Sequence, residues 1–392
     1  MKILINTGLF NGGAPLSILE YAKIAQNNGH EVKAVGEYAT SQVKYERLGI
    51  PTYNVPYFSP KRVFKNVIGL WTYSRIVNKE QPDIIHATSY GIVPSKFMSK
   101  LYGIPIMYSI AGGKTTGSIF DDEKLIVYSE ENKFDLIKHG YDRDLIEVIP
   151  NRLSIEESSN PEEIYCRSKS DEINLLLISR LDKGVIESVY YVIDVVSMLS
   201  DKNQNISLSI LGSGDYLESI RKIANDLNKT KQRKVIDVLG YQDDVDRYIS
   251  QAHVVFGKGR SIVESILSNR ISLVISESRA MLKCSVSTVD NLYRYNFSGR
   301  NMQCTTSIEE LSEIINDIAN NRVDLCELEE VRQFVDQRYN IKHVEHRINK
   351  TYEDRLAEQR TKCNRNSIVG ALYFLLRVYF LAIYDLLRSI SM

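Results

Sequence analysis

Arg180 and Lys183 stand three residues apart in Ser179-Arg180-Leu181-Asp182-Lys183-Gly184, directly after the run Ile173–Ile178. That run is apolar except for Asn174, the pattern of a strand buried on both faces. A helical pattern follows from Val185 to Leu199. A turn in this place sets two cations at the carboxyl edge of a parallel sheet, where open α/β sheets bind ligands. An arginine fork and a lysine point charge suit a diphosphate; the alternative is a pair of solvated loop charges. Gly257-Lys258-Gly259-Arg260-Ser261 leaves the strand His253–Phe256 and enters the helix Ile262–Ser268. Its glycines and the helix N-terminus make the best phosphate cradle in the chain, with Lys258 and Arg260 alongside. Glu264 can accept hydrogen bonds from a ribose diol, or is simply a first-turn glutamate favoured by the helix dipole. Gly212-Ser213-Gly214-Asp215 reads as a flexible turn after Ile206–Leu211, and Gly240-Tyr241 closes the strand Val235–Leu239. In the first half, Gly12-Gly13 precede a helix and either admit an anionic group or form a plain tight turn. His86 ends the strand Asp83–His86, at the right edge for chemistry, although a satisfied structural histidine is the commoner case.

The elements that must position these residues alternate regularly. Ile3–Asn6 reads as a strand, Leu16–Asn28 as a helix stopped by Gly29, and Glu31–Gly36 as a second strand, one βαβ unit. Strands at Ile104–Ile110, Leu125–Tyr128 and Ile146–Pro150 and helices at Val63–Asn78 and Glu130–His139 continue the pattern. Residues 154–171 are polar, contain Pro161 and lack periodicity, the mark of an interdomain linker. The second half repeats the same α/β order, with its candidate anion-binding turns at strand carboxyl ends.

The 392 residues exceed what one core organises, so two domains are expected. Forty-nine basic and 49 acidic residues cancel, which disfavours nucleic acid as a partner. The five cysteines include no CxxC pair, pointing to reduced thiols of a cytosolic chain rather than a zinc site or disulfide frame. The chain opens on the strand-like MKILINTG, so no secretory leader is expected.

The ordered motifs resemble retaining glycosyltransferases of the GT-B fold, glycosyltransferase family 4, from residue 1 to about residue 355. NTGLFNGGAPLSILEYAKIAQNNGHEV looks like the family's N-terminal glycine loop, and PDIIHATS like its strand that usually carries two histidines. YSEENKFDLIKHGYDRDLIEVIPN is similar to the segment closing the first domain, with Asn151 at its end. SRLDKG resembles the donor-phosphate motif, LGSGDY and VLGYQDDV the next two turns, and QFVDQRYNIKHVEHRINKTYEDRL the final helix that crosses back. The resemblance implies an α/β chain of two Rossmann-like domains facing a cleft. Residues 1–153 would form the acceptor domain, 154–171 the linker, 172–340 the donor domain, and 341–359 the helix returning to the first domain. It further implies a nucleotide-diphosphate sugar held without a metal or other cofactor. Arg180 and Lys183 would act on the diphosphate, with His86 as the remaining strand histidine. Glu264 would hold the ribose, Gly240-Tyr241 would lie near the base, and Gly212, Gly214, Gly257, Gly259, Arg260 and Ser261 would line the donor site. Gly12, Gly13, Thr88 and Asn151 would lie on the acceptor side.

This sequence also departs from the family pattern. The position eight before Glu264, where the family's first glutamate is expected, is Phe256, and the second strand histidine falls at Thr88. The turn after Ile178 is shorter than the usual form, and Asn269-Arg270-Ile271 replaces the expected Gly-x-Pro. A non-catalytic GT-B module that binds a glycan or a partner enzyme is therefore the rival reading. At the C-terminus, Ile368–Leu387 carries only Arg377 and Asp385 as charges. Residues 366–392 read as an in-plane membrane-associating helix rather than a span, because Arg377 lies mid-segment. A helix packed on protein is the alternative. Together these readings give a transferase moving a hexosyl or related sugar to a glycan or lipid-linked acceptor. Such an enzyme would work in bacterial surface polysaccharide synthesis, peripherally attached to the inner face of the cytoplasmic membrane.

Overall fold

The computed structural model describes residues 1–11, 13–110, 123–150, 160–166, 172–202, 205–300, 302–361, 368–376 and 378–379. The chain forms two compact units, Met1–Arg152 with Lys342–Met392, and Leu153–Ile341.

Among the described residues the first unit holds seven strands: β1 (Lys2–Leu9), β2 (Glu31–Glu37), β3 (Thr52–Asn54), β4 (Ile84–Thr88), β5 (Ile106–Ile110), β6 (Leu125–Val127) and β7 (Ile146–Val148). They lie in the order β3-β2-β1-β4-β5-β6-β7, and every pair is parallel. The second unit holds β8 (Ile173–Ile178), β9 (Ile206–Leu211), β10 (Ile236–Gly240), β11 (Val254–Gly257), β12 (Ile271–Ser276) and β13 (Ala280–Lys283). Their order is β10-β9-β8-β11-β12-β13, parallel except for the antiparallel β12–β13 pair. Both sheets are thus doubly wound, each reversing direction between its first and fourth strands. Short apolar runs make such strands because both faces are covered by helices. In the second unit Val189, Val192, Ile193 and Val196, spaced by three and four along the helix Ile186–Lys202, close over Leu175 and Leu177 of β8.

The expected linker 154–171 is more structured than its composition suggests. Residues 151–159 and 167–171 lie outside the described residues, but Pro161–Tyr165 forms a short helix capped by the Asn160 side chain. The buried Tyr165 hydroxyl donates to the His253 carbonyl and accepts from the Ile271 N–H, both at 2.9 Å. A helix of five residues is too short to show periodicity, so its single anchoring tyrosine is invisible to pattern reading.

The helix Ile341–Thr361 packs on the first unit through Val344, Ile348 and Tyr352, spaced by four. Arg347 donates to Glu147 and to the Val148 carbonyl at 3.2 and 3.1 Å, and Arg355 to the Ile106 carbonyl at 2.9 Å. Residues 368–376 are again helical, and their Ala371 and Phe374 are buried, as is Val378 just beyond. Phe374 and Val378 cluster with Phe58, while Tyr379 accepts a 2.7 Å hydrogen bond from Asn66. This part of the expected membrane-associating segment therefore has one face on protein, because a three- and four-residue apolar spacing outweighs the polar stripe read from sequence. No helix among the described residues is long and apolar enough to cross a membrane.

Replacing Tyr165 with phenylalanine removes both of its hydrogen bonds inside the second unit. Urea unfolding of Tyr165→Phe should show a stability about 1–2 kcal/mol lower, seen as a lower midpoint with an unchanged slope.

Candidate active site

Four turns leave the carboxyl edge of the second sheet side by side, after β10, β9, β8 and β11, with β8 and β11 flanking the reversal of strand order. The turn after β8 is pinned to its neighbour. Ser179 N–H donates to the Leu211 carbonyl at 3.1 Å, Leu181 N–H to Ser213 at 2.9 Å, and Tyr216 N–H to Leu181 at 3.0 Å. Leu181 is fully buried, 0% exposed, within the second core. With that residue fixed inward, Arg180 and Lys183 are held outward. The Arg180 side chain is 76% exposed and meets Asp182 at 3.5 Å, a solvent-screened contact that leaves the guanidinium open to an anion.

Gly212 and Gly214 serve this arrangement by absence of a side chain. At φ +150° and +153°, a Cβ on Gly212 would run into the Ser179 carbonyl, and one on Gly214 into the Leu181 backbone. The Gly212 N–H is also engaged, donating to the Gly240 carbonyl at 2.9 Å. The expected flexible, donor-lining turn is thus a fixed one. Its glycines permit close approach of two turns, and the Gly212 N–H is taken before any donor arrives. Gly240, at φ +75°, closes β10. Beyond it Tyr241 is 66% exposed, its hydroxyl donating to Asp243 at 2.9 Å, which raises the phenol pKa. The ring remains available for stacking on a planar base.

The turn after β11 is preassembled differently from expectation. Gly259, at φ +59°, caps the helix Arg260–Leu267, but its N–H donates to the Phe297 carbonyl at 2.7 Å. Lys258 is ion-paired with Glu277, and the Ser261 hydroxyl donates to the Lys258 carbonyl at 3.2 Å. Gly257 lies buried in β11, where a Cβ would press on Ser261 and the Ile178 carbonyl. The Gly259 N–H, Lys258 and the Ser261 hydroxyl are therefore engaged within the protein, because the turn is tied to the segment around Phe297. Arg260 and Glu264, assigned separate roles by sequence, form one unit: Arg260 Nε donates to Glu264 Oε1 at 2.6 Å. Burial raises the Glu264 pKa, partly offset by the Arg260 charge. Phe256 is a mid-strand residue of β11, fully buried in the core. Counting eight residues back from Glu264 therefore lands inside the sheet, since the connection from β11 to its helix is only two residues long.

On the first unit the assigned residues divide. His86 is fully buried in β4, its ring nitrogens 2.6 Å from the Tyr352 hydroxyl and 2.7 Å from the Ser109 hydroxyl, with Tyr21 and Tyr352 edge-on to the ring. It is a structural histidine, and the catalytic assignment is corrected. Thr88 is likewise sealed, donating to the Ser109 carbonyl at 2.8 Å, so it does not face an acceptor. Gly13 opens the helix Gly13–Asn27, while Gly12 and Asn151 lie outside the described residues. Among the described residues, no three His, Cys, Asp or Glu side chains gather as a metal site would need. Asp182 and Glu277, counter-ions of Arg180 and Lys258, escaped sequence reading. Asp182 is visible in the turn itself, whereas Glu277 is 19 residues from its partner and gives no local signal.

This fold is found in known proteins. HepE of Anabaena, solved in complex with UDP and glucose, superposes with a TM-score of 0.66 at 15% identity, over 90% of this chain and 100% of that one. TarM of S. aureus, in a complex containing UDP, gives 0.60 at 13% identity, over 91% and 99%. A putative UDP-N-acetylglucosamine 2-epimerase of Listeria monocytogenes gives 0.60 at 14% identity, over 91% and 97%. At such identities the likeness is one of fold, and the class it defines is GT-B. Residues 11–112, part of the first unit, match the model of the family Glycosyltransferase Family 4. Comparison with curated protein sequences gives no match.

A carboxylate whose folded pKa is raised takes up a proton on folding. Its stability contribution is present below the unfolded value of 4.5 and lost as pH rises through the raised value. Glu264→Gln should therefore show a higher urea midpoint than the parent at pH 7, the gap closing toward pH 4.

Proposed function

We propose that this protein is a retaining glycosyltransferase that binds a nucleotide-diphosphate sugar on its second unit and passes the sugar to a glycan or lipid-linked acceptor. The observation that carries the reading is the pair Arg180 and Lys183, exposed and fixed outward by buried Leu181 at the reversal of strand order. As the bond from sugar to diphosphate lengthens, negative charge grows on the leaving nucleotide. Two cations already in place stabilise that charge without reorganisation. Arg180 grips two phosphate oxygens with its fork, and Lys183 adds a point charge. The same pair supplies the charge a divalent ion would bring, in keeping with the metal-independence that the family resemblance implies. Glu264, its orientation set by Arg260, accepts from the ribose hydroxyls, and Tyr241 lies flat against the base. Uridine is the first base to test, because the HepE and TarM structures contain UDP. Retention of configuration and a role in bacterial surface polysaccharide synthesis follow from the resemblance. In this reading residues 366–392 attach the enzyme peripherally to the inner face of the cytoplasmic membrane, as their apolar sequence suggests.

The rival reading, a non-catalytic GT-B module, draws on Phe256 and Thr88, which replace a family glutamate and histidine. It gives no reason for an exposed pair of cations at the sheet edge.

The test is calorimetric titration of the full chain with UDP, GDP, ADP and CMP, repeated on Arg180→Ala. UDP should bind, and the variant should bind it about 10- to 100-fold more weakly, as expected for loss of a charge-assisted contact. The exposed arginine should leave the melting temperature unchanged. Binding by none of the four would remove the donor site and leave the non-catalytic module.

A further inference from the structure

The helix Val63–Glu80 buries Asn66, Gly69, Tyr73, Ile76 and Val77 against the first unit and leaves a second apolar row uncovered. Val63, Phe64, Val67, Ile68 and Trp71 are each more than half exposed, Phe64 at 88%. Five large apolar side chains on one turn-to-turn row is far from the scattered exposure that needs no explanation. The helix 368–376 shows the same spacing: Ile368, Val369, Leu372, Tyr373 and Leu376 are exposed, opposite the buried Ala371 and Phe374. The two helices are neighbours, joined by the Asn66–Tyr379 hydrogen bond and by Phe58, which contacts the end of the second.

Charge decides what covers them. Between Glu46 and Glu80 the chain has six basic residues (Arg47, Lys61, Arg62, Lys65, Arg75 and Lys79) and no acidic one. Between Glu358 and Asp385 it has Arg360, Lys362, Arg365 and Arg377, again with no acid. The chain as a whole has no net charge, yet both apolar rows sit in sequence stretches of one sign, with Arg62 paired to Glu37 and Lys79 3.6 Å from Glu80 at the edges of the first. A second copy docked face to face would bring like charges together in a low-dielectric contact. An anionic lipid surface instead meets both features, taking the apolar row into the acyl boundary and the lysines and arginines among its head groups. Trp71, with Arg75 stacked 4.9 Å over its ring, has the amphipathic form that such an interface favours.

We propose that the outer row of Val63–Glu80 is a lipid-docking surface that, with the exposed row of 368–376, seats the first unit on an anionic bilayer. The proposal rests on the membrane attachment inferred above and moves its centre from the C-terminal segment to the first unit. Trp71 is the single tryptophan of the chain, so its fluorescence reports on this surface alone. The full chain is mixed with phosphatidylcholine vesicles and with vesicles of roughly three-tenths phosphatidylglycerol, and sedimentation is followed alongside Trp71 emission. Binding should be at least about tenfold tighter to the anionic vesicles, with a blue shift and loss of acrylamide quenching. Phe64→Ser/Ile68→Ser, at exposed positions, should weaken binding about tenfold or more while UDP titration is unchanged. Binding without a Trp71 shift would leave attachment to the C-terminal segment and overturn the proposal. No binding to either vesicle would overturn it together with the membrane attachment. A Trp71 shift that grows with protein concentration in the absence of vesicles would assign the surface to a second copy.

Discussion

Leu181 has no accessible surface, although its neighbours Arg180 and Asp182 are charged. That inward apolar residue, tied by its backbone to the turn after β9, is what the candidate site depends on. Two cations on a free loop would lose most of their attraction for an anion to side-chain and backbone entropy. Here the loop is not free. Its N–H and carbonyl groups are spent on Ser213 and Tyr216, and the facing turn carries glycines where any side chain would push the two apart. The ordering cost is met during folding, by core burial, so that a ligand need not meet it on binding.

The two sheets have the same strand order and put it to different uses. In the second unit the carboxyl edge is left polar and accessible at Arg180, Lys183 and Tyr241. In the first, the fourth strand delivers His86 to a buried position where Tyr352, from a helix more than 250 residues later, completes its hydrogen bonding. A fully buried histidine whose two nitrogens both face protein hydroxyls presents no surface to a substrate. Its value is in fixing the returning helix against β4. The turn after β11 shows a similar economy: Lys258 is held by Glu277 and Arg260 by Glu264.

Much of this was legible in the sequence, and for physical reasons. Strands buried on both faces write themselves as short apolar runs, so the α/β class, the Ile173–Ile178 strand and the turns at its edge could be read directly. What could not be read was pairing between distant residues. Nothing local marks Tyr352 as the partner of His86, Glu277 as the partner of Lys258, or Tyr165 as an anchor inside a polar stretch. The glycines at 212 and 214 were visible, but their meaning was inverted. Composition makes Gly-Ser-Gly look loose, whereas the adjoining turn makes it the tightest contact at the sheet edge. Phe256 was read correctly as a strand residue, but the family's eight-residue glutamate spacing lands on it because the connection from β11 to the next helix is only two residues long.

The helix Ile341–Thr361 has a consequence for the order in which the protein is made. The first unit needs it: His86, Glu147 and the Ile106 carbonyl all bond to side chains that the ribosome adds only after the whole of the second unit. At about 5–20 residues per second, the first unit waits roughly 10–40 s for its last helix. The second unit, contiguous in sequence, is complete at emergence. The unit synthesised first is thus the one finished last, and during that interval its β4–β7 side carries unsatisfied polar groups and bare apolar surface. Nascent chains stalled before residue 341 are the species in which a chaperone would find its binding site.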